Sequence, residues 1–110
     1  MRRAKILYKG EPAGTLSEIS PDRYVFRYYS TWFEDDSKPS ISITLPKTMQ
    51  EYESRYLFSF FFNMLSEGYN REQQCRKLQI DENDDFGLLL ATAHTDTIGA
   101  VTVERFKEDE

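Results

Sequence analysis

The chain has 110 residues, 39% hydrophobic and 30% charged, with 14 Lys and Arg against 19 Asp and Glu for a formal charge of −5. That length suits one small domain with a single core and leaves no room for a self-contained kinase, dinucleotide-binding enzyme or barrel. The acidic balance argues against direct nucleic-acid binding, which needs clustered Lys and Arg. No apolar stretch reaches the roughly 20 residues of a membrane span, and Met1-Arg2-Arg3-Ala4-Lys5 lacks the apolar run of a signal peptide behind it. The lone Cys75 excludes an internal disulfide and fits a reducing, cytoplasmic setting. Aromatics reach 15%, with 8 Phe and 7 Tyr, so a surface that sticks to something is an early expectation.

Ala4–Tyr8 reads as a strand, Lys9-Gly10-Glu11-Pro12 as turn chemistry, and Ala13–Ile19 as a second strand, which together make a β-hairpin. Ser20-Pro21-Asp22 is a further turn before Tyr24–Tyr29, whose aromatic and branched residues suit a third strand. Ser30–Pro39 reads as a polar loop from which Trp32 and Phe33 fold back onto the sheet. Ser40–Leu45 alternates polar and apolar until Pro46, which predicts a strand with Ile41, Ile43 and Leu45 facing the core.

Helical character is expected after Pro46. Thr48-Met49-Gln50-Glu51 has the letters of a capping box, a short signal that also suits a loop. Leu57–Leu65 predicts a helix ended by Ser66-Glu67-Gly68, with Gly68 as its C-cap. Asn70 is a candidate cap for a second helix over Arg71–Leu78, with Gln74, Cys75 and Leu78 inward. Asp84 or Asp85 would cap a third, in which Phe86, Leu89, Leu90 and Ala93 share one face. His94–Thr97 reads as a turn and Ile98–Glu104 as a closing strand, followed by a solvated charged tail over 105–110. The whole is expected to be one α+β domain: a curved antiparallel sheet with about three helices packed on one face.

Motifs for chemistry fail on inspection. Asp85-Phe86-Gly87 spells the metal-binding tripeptide of protein kinases, but the glycine-rich loop, strand lysine and catalytic loop that must precede it are missing. An aspartate at the positive end of a helix explains the same letters. Asp81–Asp85 opens like a calcium loop, yet its sixth position is Phe86 and its twelfth Thr92, where geometry and charge demand Gly and Glu. His94 is the sole histidine and Cys75 lies on an inward helical stripe, so neither a metal site nor a nucleophilic triad is supported. No cofactor, metal or catalytic residue is expected, and the chain reads as a non-enzyme.

The feature that stands out is the expected helix over 57–65. At 100° per residue, Leu57, Phe58, Phe60, Phe61, Phe62, Met64 and Leu65 cover an arc of about 200°, twice what a surface helix buries. Either this helix lies deep in its own core, or one flank meets a partner, for which Phe and Met are typical anchors.

The order of segments resembles one known family. Leu7–Leu16 resembles the first hairpin of the HipA N-terminal subdomain, and Tyr24–Tyr28 with Ser40–Pro46 resembles that family's F-x-Y and P-x-S-x-S-L-P strands. Phe61-Phe62-Asn63-Met64-Leu65-Ser66-Glu67-Gly68 is similar to its F-F-x-N-L-L-P-E-G segment, with Ser66 in place of the usual Pro. Asp84–Leu89 and Gly99-Ala100-Val101 match its later elements, so the likeness runs over about residues 4–104. In that family the domain precedes a Ser/Thr kinase body, and free-standing versions resemble HipS, the small component of HipBST toxin–antitoxin systems. The resemblance implies a non-catalytic antitoxin that binds and inhibits a separate HipA-like (HipT-like) kinase, with a HipB-like helix-turn-helix protein in the same complex. Alternatives are an assembly subunit of a kinase–repressor complex and an idle remnant of a longer HipA gene. Phe58, Phe61, Phe62, Met64, Leu65, Glu67 and Gly68 would supply the partner contact, with no direct nucleic-acid or membrane binding.

Overall fold

Lys9 and Gly10 both take positive φ, 50° and 83°. Two left-handed residues in succession make the tight turn whose twist matches a hairpin, and glycine makes the second of them easy. This turn closes β1 (Arg2–Tyr8) onto β2 (Glu11–Ser20). The computed structural model describes residues 1–93 and 100–106. A second turn at Pro21-Asp22 leads into β3 (Arg23–Tyr28), which pairs antiparallel with β2. β4 (Glu51–Ser54) lies on the outer side of β3, and β5 (Val101–Arg105) returns to the far side of β1. The result is an open, curved antiparallel sheet of order β4-β3-β2-β1-β5.

Strand alternation divides the sheet into two faces. Ala4, Ile6, Leu16, Tyr24, Phe26, Tyr28, Val101 and Val103 share one face and are all buried. Against it pack the side chains of the four helices among the described residues: α1 (Ser30–Phe33), α2 (Ser59–Phe62), α3 (Gly68–Leu78) and α4 (Asp85–Thr92). The opposite face carries cross-strand charge pairs, Arg23 with Glu53 at 2.8 Å and Arg27 with Glu51 at 3.4 Å. Close approach is required at Gly14, where an added Cβ would sit 2.5 Å from the Arg27 carbonyl oxygen and 3.0 Å from the Phe26 ring. The α+β expectation holds, as do the first three strands and the helix at Phe86; Trp32 does fold back, its ring 5.6 Å from that of Tyr8.

The segment 40–45 is not a strand. It forms a loop in which Ile41 and Leu45 are buried while Ile43 is 96% exposed. The outer edge of β3 is paired with β4, and the Tyr28 hydroxyl holds the loop by accepting the Ile41 N–H and donating to the Leu45 carbonyl. The expected helix start at Thr48–Glu51 gives way to that same strand, because Glu51-Tyr52-Glu53-Ser54 has a period of two, with Tyr52 half-buried against the core and Glu51 and Glu53 exposed.

The expected nine-residue helix over 57–65 shrinks to α2, a single turn followed by tighter i→i+3 bonds from Met64 to Phe61 and from Leu65 to Phe62. Gly68 does not cap it; with φ at 59° it opens α3, whose N-cap position is Glu67 and not Asn70. Of the residues expected to point inward from α3, only Cys75 is fully buried, and Leu78 is 44% exposed. In α4 the buried set is Phe86, Gly87, Leu88, Leu89 and Leu90, wider than one helical stripe because the helix lies under the sheet. The expected turn at His94–Thr97, the start of the closing strand at Ile98 and the tail from 107 lie outside the described residues.

Candidate partner-binding surface

The strongest electrostatics surround Arg2. Its guanidinium donates to Glu18 at 2.8 Å and to Asp84 at 2.7 Å and lies 5.2 Å over the Phe86 ring. Tyr24 donates its hydroxyl to the same Glu18 at 3.3 Å. Asp84 also caps α4 by accepting the Gly87 N–H at 3.0 Å, and a side chain at Gly87 would collide with its carboxylate. The kinase-like letters Asp85-Phe86-Gly87 are therefore a helix start whose glycine makes room for the capping aspartate. Hydrogen bonding to Arg2 holds Asp84 below the usual carboxylate range, and the two carboxylates push Arg2 above its own. Burial first, then the charge of Glu18, raises Tyr24. Every member of this cluster is committed to another, so it pins β1 and β2 to α4 and holds no reactive group in reserve.

The acidic run at 81–85 does not converge on a cation. Asp81 accepts the Asn83 N–H, Asp84 faces Arg2 and Asp85 faces Arg71. Among the described residues no group of three or more His, Cys, Asp or Glu is placed to hold a metal. Cys75 is buried and free. No helix among the described residues is long and apolar enough to cross a membrane.

The aromatic segment is split by burial. Leu57, Phe61 and Leu65, spaced by four, point into the core, where the Phe61 ring sits 6.0 Å from Phe26 and 5.2 Å from Phe60. Phe58 and Met64 are half-buried against that core. Phe62 is 41% exposed, and Glu67 and Gly68 are exposed at the start of α3. Of the seven residues assigned to a partner contact, Phe61 and Leu65 are thus spent on internal packing and present no surface. Apolar residues nearly all round the segment leave its buried side undefined in the sequence, and only the packing shows that it is the Leu57, Phe61 and Leu65 side.

Other apolar side chains at the surface escaped the sequence reading. Ile43 tops the 40–46 loop, and Tyr69, Tyr56 and Leu78 are exposed around α2 and α3. Beside Ile43 a groove of about 590 Å³ runs over Tyr8, Ile41, Pro46, Phe60 and Val101. Phe60 of α2 lines this groove, while Phe62, two residues on in the same turn, does not. The Tyr28 hydroxyl that clamps this loop is buried, which raises its pKa and keeps it a donor.

Residues 4–104 match the sequence profile of the HipA N-terminal domain. The chain belongs to that family. Among its relatives, a putative kinase of Sinorhizobium fredii is 28% identical over 107 residues, a match covering 92% of this chain and 26% of the relative. An uncharacterized protein of Haemophilus influenzae is 27% identical over 98% of this chain and 96% of its own length. The chain thus spans about a quarter of one relative and nearly all of the other. The solved N-terminal domain of HipA toxin superposes with a TM-score of 0.74 at 24% identity, covering 98% of this chain and 95% of that one, which shows a shared fold. This HipA N-terminal domain is therefore homologous to kinase-associated proteins.

Proposed function

We propose that this HipA N-terminal domain is a non-catalytic, HipS-like antitoxin that binds and restrains a separate HipA-like Ser/Thr kinase. The observation that carries the reading is the pair of relatives: the same module makes up about a quarter of a putative kinase and almost the whole of a second protein. A module that accompanies a kinase within one chain is already shaped to lie against one. Exposed Phe62, half-buried Met64 and exposed Tyr69 offer the aromatic and Met side chains that anchor interfaces. Restraining a kinase by contact requires shape and affinity and no chemistry, which suits a domain whose charged clusters are internally paired.

The test is co-expression with a HipA-like kinase body that lacks this domain, read by pull-down and by growth. The expected result is a stable complex and relief of kinase toxicity, both lost in Phe62→Asp with circular dichroism unchanged. A complex that leaves toxicity untouched makes the domain an assembly subunit and overturns the antitoxin role. Absence of a complex overturns kinase binding itself.

A further inference from the structure

We propose that α3 is a detachable strap: it lifts off the domain as a unit, at far less cost than unfolding the sheet, and takes part of the candidate contact surface with it. The attachment of this helix is thin. Of its eleven residues Cys75 alone is buried, against five in the eight-residue α4. Eight residues of α3 are exposed and two are half-buried. A cysteine is a small hydrophobe, so its burial anchors a helix far less than the phenylalanine and leucines of α4 do. Among the described residues, only one α3 side chain bonds to another part of the chain. That is Arg71, which donates to the Glu82 carbonyl at 2.6 Å and to the Asp85 carboxylate at 2.5 Å.

Docking also carries a penalty. The Gln74 side-chain oxygen is buried with no hydrogen-bond partner. Such a group gives up its bond to water and gains none in return, so the docked position is opposed from within the helix. A firmly seated, solvated helix would account for the exposed residues but not for a polar oxygen turned inward unpaired. Both ends can turn. Gly68 and Gln79 bracket the helix with φ of 59° and 58°, and a Cβ added at Gly68 would meet nothing within 4 Å. Residues at the ends of an element absorb the dihedral change when it moves. Once released, a helix of eleven residues is marginal in water, so detachment also melts it. Gly68 and Tyr69 ride on the strap and Glu67 stands at its N-cap, so detachment withdraws them from the surface. That consequence rests on the kinase-binding reading above; the strap itself does not.

The experiment uses Cys75, the sole cysteine, as its probe. In the full chain its reaction with an aromatic disulfide reagent is followed beside amide exchange, at urea concentrations below the unfolding transition. Detachment of one helix exposes little surface, so labelling should stay nearly flat in low urea and run at least ~100-fold faster than global unfolding allows. Amides of Arg71–Leu78 should report the same opening constant. Arg71→Ala should speed labelling about 10-fold, and Gln74→Met, which removes the orphaned oxygen, should slow it several-fold. Labelling that rises with urea as steeply as global unfolding overturns the strap, as does an Arg71→Ala rate within twofold of wild type. Kinase body at saturation should slow the labelling. Binding without slowing overturns the link to the contact surface while kinase binding stands. If the kinase body does not bind, the kinase reading falls, and labelling of the free chain still decides the strap.

Discussion

Replacing Phe61 and Phe62 in turn separates core from contact within two adjacent identical residues. Phe61 is fully buried, with its ring near those of Phe26, Phe58 and Phe60, whereas Phe62 is 41% exposed. Deleting a buried phenyl ring removes its transfer free energy and leaves a cavity, so Phe61→Ala should cost about 4 kcal/mol. For 110 residues the unfolding entropy is on the order of 0.23 kcal/mol per degree, so the melting temperature should fall by roughly 17 °C. Phe62→Ala should cost about 1 kcal/mol or less, a shift of under about 5 °C. Urea unfolding followed by circular dichroism measures both. Because small domains hold only about 5–15 kcal/mol in total, Phe61→Leu serves as a milder companion, expected to lose about 1–2 kcal/mol. The burial assignment is wrong if Phe61→Ala costs less than Phe62→Ala.

Two further outcomes follow from the pinning cluster and the sheet. Asp84→Asn should cost about 1 kcal/mol at pH 7, a value discounted because the Arg2 side chain is 40% exposed. Since the Asp84 pKa is depressed in the folded state, that contribution is present above the ordinary aspartate value near 4 and is lost as pH falls through the folded pKa. Stability curves of wild type and Asp84→Asn should therefore converge in acid; a constant gap would refute the charge origin. Gly14→Ala should lose about 1–3 kcal/mol, read from the urea midpoint, because its Cβ meets the Arg27 carbonyl oxygen at 2.5 Å. A neutral substitution would mean the β2–β3 pairing yields locally.

The elements legible in the sequence are those set by neighbours close along the chain. Lys9-Gly10 announced the first hairpin through turn geometry, and Asp84 announced α4 through the cap that it does form. The failures are long-range. Ser40–Leu45 has a strand's alternation, yet β3 has only one free edge and Glu51–Ser54 occupies it. Tyr28 then holds the displaced segment in a shape that no local preference encodes. The candidate surface was half legible. The aromatic excess at 58–64 pointed to the region, but Phe61 and Phe62 are the same letter, and only packing decides which one faces water.

By itself, then, the sequence determined a small acidic α+β domain, its opening hairpins, the capped helix at Phe86 and a likeness to HipA N-terminal domains that the profile match over residues 4–104 supports. Those features rest on backbone preference, capping and periodicity, which act within a few residues. Only the tertiary structure decided that the 40–46 segment is a clamped loop displaying Ile43, that the aromatic helix is a single turn, and that Phe61 and Leu65 belong inside. Each of those outcomes depends on which distant strand or ring already fills the neighbouring space, and competition for a strand edge or a place in the core is settled only when the whole chain is folded.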